Sequence, residues 1–462
     1  MILFSHSNFL VHDAKQQAKM RPFSPLSTLI AAALVRRAGH DVALFDATFA
    51  SGIEAFEAML DAVRPRVVVV MEDNFNFLTK MCTTVRRETA LTMIRAASAR
   101  GCRVAANGPD VSDNPAMYLG AGADAVVLGE GESAVLELVE HWERGVGAIQ
   151  DVAGLILPDL GATRPRRAQQ DLDALPHPAW DLLDVPAYRI AWRQAHGALS
   201  WNIATSRGCP YACNWCAKPT FGRRYTVRSP EDVVREMARL KREIVPDRLW
   251  FTDDILGLDI DWTCAFADEV RRVDAAIPFT MQSRVNLMTD CAVEALAAAG
   301  AREVWLGVES GSQAILDAMD KGTTVDAART ATRTLKAHGI RACWFIQLGY
   351  PSESWDDLIA TRDLIREEAP DEIGVSVAYP LPGTDFYDRV RAQLGRQRNW
   401  KDTGDLAMLF QGTYDTAFYR KVRDILHREV ENGEQDDRGW AEIAAQAHAH
   451  RSPRPFSLAV GG

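Results

Sequence analysis

The run Ser206-Arg207-Gly208-Cys209-Pro210-Tyr211-Ala212-Cys213-Asn214-Trp215-Cys216 decides how this chain is read. Its C-x3-C-x2-C spacing offers three thiolates to one metal centre. A [4Fe–4S] cluster held by three cysteines keeps one iron open for another ligand, so such a loop is a reaction centre rather than a staple. A structural zinc site is the competing reading, but it wants four ligands in paired knuckles. No fourth Cys or His stands close by, and the next cysteine downstream is Cys264. A chance cluster of buried cysteines is the other alternative. The context argues against both: the loop follows a short apolar, strand-like run, Trp201 to Ala204, and places Trp215 just before its last cysteine.

Working outward, residues 199–390 show a βα rhythm. The expected strands are Asn202–Thr205, Arg248–Thr252, Phe279–Ser283, Glu303–Val308, Ala342–Leu348 and Ile373–Ala378. Six parallel strands suit a partial (β/α)6 barrel with its chemistry at the strands' carboxyl ends. Residues 1–150 show the same rhythm, with strands at Met1–Phe4, Val42–Phe45, Val67–Met71, Val104–Ala106 and Ala125–Leu128. Helices are expected at Pro25–Ala38, Ile53–Val63, Thr83–Arg100 and Asn114–Ala121. This is the pattern of a Rossmann-like, doubly wound parallel sheet, which binds ligands beyond its carboxyl ends. Those ends carry Ser5-His6-Ser7-Asn8, Glu72-Asp73-Asn74, Asn107-Gly108-Pro109-Asp110 and Gly129-Glu130-Gly131-Glu132. No G-x-G-x-x-G follows the first strand, so a dinucleotide fingerprint is absent. Residues 151–198, dense in proline, read as a linker anchored by Trp180, Leu182 and Leu183. Residues 391–462 read as a charged, helix-prone cap and tail, clearest at Tyr419–Val430 and loose from Arg451 through Pro455.

The 462 residues exceed one ordinary core, and 47% hydrophobic with 25% charged residues is ordinary for a globular protein. A formal net charge of -10 gives no footprint for nucleic acid. Eight cysteines in so long a chain make no disulfide framework. Cys82, Cys102, Cys264, Cys291 and Cys343 stand singly and read as small core residues. No signal peptide or membrane span is expected, and a reducing cytoplasm suits an iron–sulfur cluster.

The barrel half resembles radical S-adenosylmethionine (SAM) domains. The N-terminal half resembles the cobalamin (B12)-binding domain that precedes the barrel in one subgroup of that family. The markers are Ser24-Pro25-Leu26, Gly39-His40-Asp41-Val42, Gly129-Glu130-Gly131-Glu132, and the linker Asp171 to Pro176 with Pro178-Ala179-Trp180. The subgroup includes cobalamin-dependent methyltransferases and the anaerobic Mg-protoporphyrin monomethyl ester cyclase. The tail from Asp405 to Met408, Gly412 to Tyr414 and Phe418 to Arg420 is similar to that of cyclase-type members.

The resemblance implies cofactors and roles. Cys209, Cys213 and Cys216 would hold a [4Fe–4S] cluster whose open iron binds SAM. Tyr211 and Trp215 would line the adenine side or, alternatively, only pack the loop. Thr252, Asp253 and Asp254 fall at the turn that accepts bonds from the SAM amino group. Arg284 would meet a carboxylate, and Glu309, Ser310 and Gln347 would contact SAM, with structural roles in closing the barrel as the competitor. Cobalamin would lie on Ser5, Ser7, Glu72, Asp73, Asn74, Asn107, Gly108, Pro109, Gly129, Glu130, Gly131 and Glu132. No Asp-x-His-x-x-Gly motif is present: His6 and His12 lack its spacing and His40 reads as surface. That implies a cobalt without a protein histidine beneath it, or a domain that kept the fold and lost the cofactor.

The implied chemistry is electron transfer into SAM, release of a 5′-deoxyadenosyl radical and hydrogen abstraction from an unactivated carbon. The first functional expectation is a C-methyltransferase for a small molecule, and the second a cyclase or oxidoreductase. The third is a non-catalytic cobalamin sensor, against which the intact cysteines, Asp253-Asp254 and Glu309 argue. An electron donor such as flavodoxin or ferredoxin is expected as partner. Trp344, Tyr350, Tyr379, Pro380 and Trp400 are candidates to line a substrate pocket, though aromatic residues are more often core.

Overall fold

The computed structural model describes residues 1–81, 83–216 and 221–449; Cys82 and the stretch from Arg451 lie outside them. Val67–Met71, four valines and a methionine, is buried throughout. An uninterrupted apolar strand is what a parallel sheet covered on both faces requires. This strand (β3) pairs in parallel with β1 (Ile2–Ser5) and β4 (Arg103–Asn107). With β2 (Val42–Phe45) and β5 (Ala125–Val127) the order is β2-β1-β3-β4-β5. The order reverses between β1 and β3, and that switch point is where sheets of this kind open a ligand crevice. Alternate residues feed two cores. Leu3, Val68 and Val70 face the helices Ile53–Val63 and Thr84–Ala99. Phe4, Val69 and Met71 face Leu26–Arg37 and Glu132–Arg144.

The proline-dense segment is more regular than its composition suggests. It adds two antiparallel strands to the first sheet, β6 (Leu155–Leu157) and β7 (Gly161–Ala162), and the helix Val185–His196. Pro186 stands in that helix's first turn, where a missing N–H costs nothing, and Asp184 caps it by accepting from the Ala187 amide. Trp180 and Tyr188 pack edge-on against Trp201, at 5.5 Å each, so the segment covers one edge of the second sheet.

That sheet is six-stranded, all parallel and open: β8 (Ser200–Ile203), β11 (Arg248–Phe251), β12 (Phe279–Ser283), β13 (Ala301–Glu309), β14 (Arg341–Leu348) and β15 (Glu372–Val377), in that spatial order. Two short antiparallel strands, β9 (Ser206–Arg207) and β10 (Thr226–Val227), close the loop that carries the three cysteines. The helix Thr416–Asn432 packs along β15 and is tied back by Arg366 to Glu429, which covers the second edge. The tail also reaches the N-terminal sheet's helices: Thr403 Oγ1 donates to Asp13 at 2.7 Å, and the Trp400 carbonyl accepts from the Thr84 amide. Among the described residues no helix is long and apolar enough to cross a membrane.

Two expectations about isolated residues fail. Cys264 and Cys291 are exposed, not core; Cys264 lies off the buried stripe Thr263, Phe266, Ala267 and Val270 of its helix. His40 is buried rather than surface, because its Nε2 lies 2.7 Å from Glu140.

Candidate active site

The cysteine loop begins with a steric demand. Gly208 has φ +78°, and a Cβ there would stand 1.9 Å from the Arg224 carbonyl oxygen, so the β9–β10 pair closes only on glycine. Cys209 and Cys213 are buried and Cys216 is half-buried. Among the described residues, the one trio of ligand atoms lying within 4.8 Å of one another is Glu303, Cys343 and Glu372, at the opposite end of the second sheet. The loop itself supplies three thiols and no fourth ligand, one short of the set a structural zinc takes. They suit a cube in which each thiolate takes its own iron.

Asn214, between the last two cysteines, locks the loop to the barrel. Its side chain donates to the Ala318 carbonyl and Asp320, both at 2.8 Å, and accepts from the Tyr350 hydroxyl at 2.8 Å. Its backbone carbonyl accepts from the Phe386 amide at 3.0 Å. Arg284, just past β12, donates from Nη1 to Cys213 Sγ at 3.3 Å and stacks 3.7 Å from the Tyr211 ring centroid.

The other residues expected to touch SAM gather at the carboxyl ends of β11 to β14, but several are already engaged. Asp253 is wholly buried and accepts from Thr205 Oγ1 at 2.7 Å and Ser206 Oγ at 2.5 Å. Burial pushes its pKa up to about 6 against those bonds. Its carboxylate thus fixes the chain entering the cysteine loop. Thr252 Oγ1 donates to the Ile203 carbonyl, and Ser310 pairs with Thr361. Glu309 lies at a register shift with φ +66° and forms a buried 2.6 Å ion pair with Lys321. Gly307 makes room for it, since a Cβ there would meet both charged groups at 2.7 Å. At this site the buried polar atoms left without a hydrogen-bond partner among the described residues include Asp254 Oδ2, Gln347 Oε1 and Trp215 Nε1.

The carboxyl ends of the first sheet face this site. Asn107 Nδ2 donates to the Val127 and Gly129 carbonyls at 2.9 and 3.0 Å, and Asn74 donates to Asn107 and to the Glu130 carbonyl. Glu72 accepts from the Ser7 amide, while Ser5 Oγ donates to Phe45. Asp73 accepts from the Ser27 and Phe75 amides, and burial pushes it up to about 6. His6, Asn8, Glu72, Asp73, Asn76 and Thr79 line a small cleft at the switch point.

Polar contacts among the described residues join the two faces. Arg207, adjacent to the cysteine loop, donates to Glu130 at 2.6 Å and Glu132 at 2.8 Å. Lys80 pairs with Asp254 at 2.6 Å. Ser24 and Asn202 exchange hydrogen bonds, 2.5 and 2.8 Å. Burial works against the Arg207 charge, but Glu132 and Glu130 outweigh it and hold its pKa above the ordinary value.

The Radical SAM superfamily model matches residues 203–365, and the B12 binding domain model matches residues 22–139. The chain carries a radical SAM domain and, ahead of it, a B12-binding domain. An uncharacterized methyltransferase of Pyrococcus horikoshii is 31% identical over 60% of this chain and 60% of its own length. The anaerobic magnesium-protoporphyrin IX monomethyl ester cyclase of Rubrivivax gelatinosus is 28% identical over 58% and 49%. The cytidylyl-2-hydroxyethylphosphonate methyltransferase of Streptomyces wedmorensis is 27% identical over 68% and 63%. The chain thus spans about half to three-fifths of these relatives' lengths. The radical SAM methyltransferase TsrM from Kitasatospora setae, solved with cobalamin and a [4Fe–4S] cluster, superimposes with a TM-score of 0.69 over 98% of this chain and 91% of that one. At 19% identity that likeness speaks for the fold.

The cofactors of these domains are a [4Fe–4S] cluster with SAM, and cobalamin. The residues present fit each. Three thiols on one loop suit the cluster, and the unpaired oxygens Asp254 Oδ2 and Gln347 Oε1 suit SAM's ammonium. For cobalamin, Gly108 and Gly131 lie at φ +149° and +94°, where a Cβ would strike Glu72 at 2.7 Å and Asn107 at 2.8 Å. These two turns therefore close on Glu72 and Asn107 only with glycine, and Pro109 then opens a short helix. The Ser7 hydroxyl is buried without a partner among the described residues. His6 has no nitrogen to spare: Nδ1 accepts from the Asn8 amide and Nε2 lies 3.0 Å from Asp46.

Sequence reasoning missed Arg207, Asn214, Lys321 and Lys80. Only Arg207 and Asn214 carried a signal, through their place inside the cysteine run. The aromatic candidates for a substrate pocket are core: Trp344 Nε1 donates to Thr332, Tyr350 to Asn214, and Trp400 to the Ala407 carbonyl.

Proposed function

We propose that this radical SAM protein is a cobalamin-dependent methyltransferase that places a methyl group on an unactivated carbon of a small molecule. The observation carrying the reading is that the cysteine loop and the glycine-lined face of the B12-binding domain are held against each other through Arg207, Glu130 and Glu132. When bound, the cluster with SAM supplies radical chemistry and cobalamin supplies a methyl group. The chain's own work is positional. Asp253, Thr205 and Ser206 fix the entry to the loop, Asn214 fixes its middle, and Lys80 with Asp254 fixes the spacing of the two faces. Burial of these groups keeps water away from the space between the faces. Methyltransferases among the relatives support this reading. The cyclase relatives favour ring closure as the second reading. A low-potential electron donor of the flavodoxin or ferredoxin type, and a reducing cytoplasm, complete the proposal.

The test is anaerobic. The protein is reconstituted with iron and sulfide, its spectrum is recorded with hydroxocobalamin, and adenosyl products are quantified after SAM and a reductant. The expected result is bound cobalamin, 5′-deoxyadenosine and S-adenosylhomocysteine together, with a methylated product. 5′-Deoxyadenosine without S-adenosylhomocysteine would favour the cyclase. No SAM cleavage would overturn both.

A further inference from the structure

The position of Arg284 departs from the carboxylate contact expected of it. Its guanidinium is held on every side: Nη1 donates to Cys213 Sγ at 3.3 Å, Nε to Asn286 Oδ1 at 3.1 Å, and Nη2 to the Lys321 carbonyl. Its plane lies over Tyr211, whose hydroxyl accepts from Asn286 Nδ2 at 3.3 Å. A planar fork fixed by three hydrogen bonds and a ring has no freedom to turn. Arg284 is 5% exposed, and no carboxylate pairs with it among the described residues. Glu309, the buried carboxylate that ends the neighbouring strand β13, is taken by Lys321. A buried guanidinium without a counter-anion is costly. Three thiolates around a cube supply that anion, since the cluster with its ligands carries about one negative charge when oxidised and two when reduced.

We propose that Arg284 tunes the cluster: it donates to the Cys213 thiolate and its charge stabilises the reduced state, making the one-electron reduction easier. The reduction adds one electron from an external low-potential donor, and no proton or bond to Arg284 is transferred. Hydrogen bonds to cluster sulfur and nearby charge are among the recognised determinants of iron–sulfur potentials. This rests on Cys213 being a cluster ligand, as the proposed function has it.

The experiment is a potentiometric titration of the reconstituted full chain followed by electron paramagnetic resonance, for wild type, Arg284→Lys and Arg284→Gln. SAM binding is measured in parallel by equilibrium dialysis. In Arg284→Gln, the ratio of reduced to oxidised cluster at a fixed potential should fall at least tenfold, which is ~59 mV for one electron. Arg284→Lys, which keeps the charge, should recover part of that shift, and SAM affinity should change less than threefold. An unchanged midpoint with tenfold weaker SAM binding would overturn the proposal and return Arg284 to the SAM carboxylate. If Arg284→Gln loses its iron, Arg284→Lys decides: a midpoint equal to wild type with poorer SAM binding overturns the proposal. A wild-type chain that takes up no cluster would instead overturn the function on which it rests.

Discussion

Replacing Arg207 by alanine tests whether the two faces are held by charge. The guanidinium is 5% exposed, Glu130 13% and Glu132 3%, so the removal strands two carboxylates in a poorly hydrated seam. It also removes the cation stacked 5.6 Å from Phe75 and 5.3 Å from Phe221. Breaking a buried pair by deleting one partner costs about 3–5 kcal/mol, most of it the unpaired charge. At ~1.4 kcal/mol per factor of ten, even the lower figure multiplies local opening more than a hundredfold. The assay is native-state hydrogen exchange of the Thr205, Cys209 and Arg228 amides, which are bonded to Asp253, Gly222 and Thr205. Their protection should fall by at least a hundredfold in Arg207→Ala. Adding Glu130→Gln and Glu132→Gln should restore at least half of the lost free energy, since neutral amides tolerate the seam better. Protection unchanged in Arg207→Ala, or a triple variant no better than the single one, would refute the charge argument.

Further outcomes follow from the same geometry. Glu353 is wholly buried and bonded to the Gly349 amide at 2.7 Å; burial pushes its pKa from 4.5 up to about 8. A carboxyl raised in the folded state contributes stability below pH ~4.5 that is lost as pH climbs through 8, at most about 5 kcal/mol. Urea melts should therefore show Glu353→Gln gaining on wild type between pH 5 and pH 9, and parallel pH profiles would count against that burial. Gly131→Ala, which drives a Cβ to 2.8 Å from Asn107 at φ +94°, should weaken hydroxocobalamin binding at least tenfold in a spectral titration. Alanine at Cys209, Cys213 or Cys216 should each drop bound iron from four per chain to below one by colorimetric assay, whereas Cys264→Ala, at an exposed position, should not.

What was legible in the sequence is what short spacing encodes. The valine run of β3, the strand–helix rhythm and the cysteine loop each lie within a dozen residues, so composition and periodicity display them directly. The roles of charged residues at the strand ends were not legible, because their partners are chosen by topology. Asp253 was expected to meet a ligand, yet it turns to Thr205 and Ser206, 48 and 47 residues away, since β8 and β11 are neighbours. Arg284 finds Cys213 across 71 residues, and Arg207 finds Glu132 across 75. The proline-dense segment misled for a different reason: composition counts prolines, but Pro186 sits where a helix tolerates one. Two sheets whose parallel strands turn their carboxyl ends toward each other bring carboxylates together, from both Gly-Glu-Gly-Glu and the Asp253–Asp254 turn. Arg207 and Lys80 are the cations that make such an apposition stable, and neither belongs to a strand-end motif on the acidic side. Residues that hold two such domains together are therefore to be sought in the partner domain's loops, opposite each acidic turn, rather than within the turn itself.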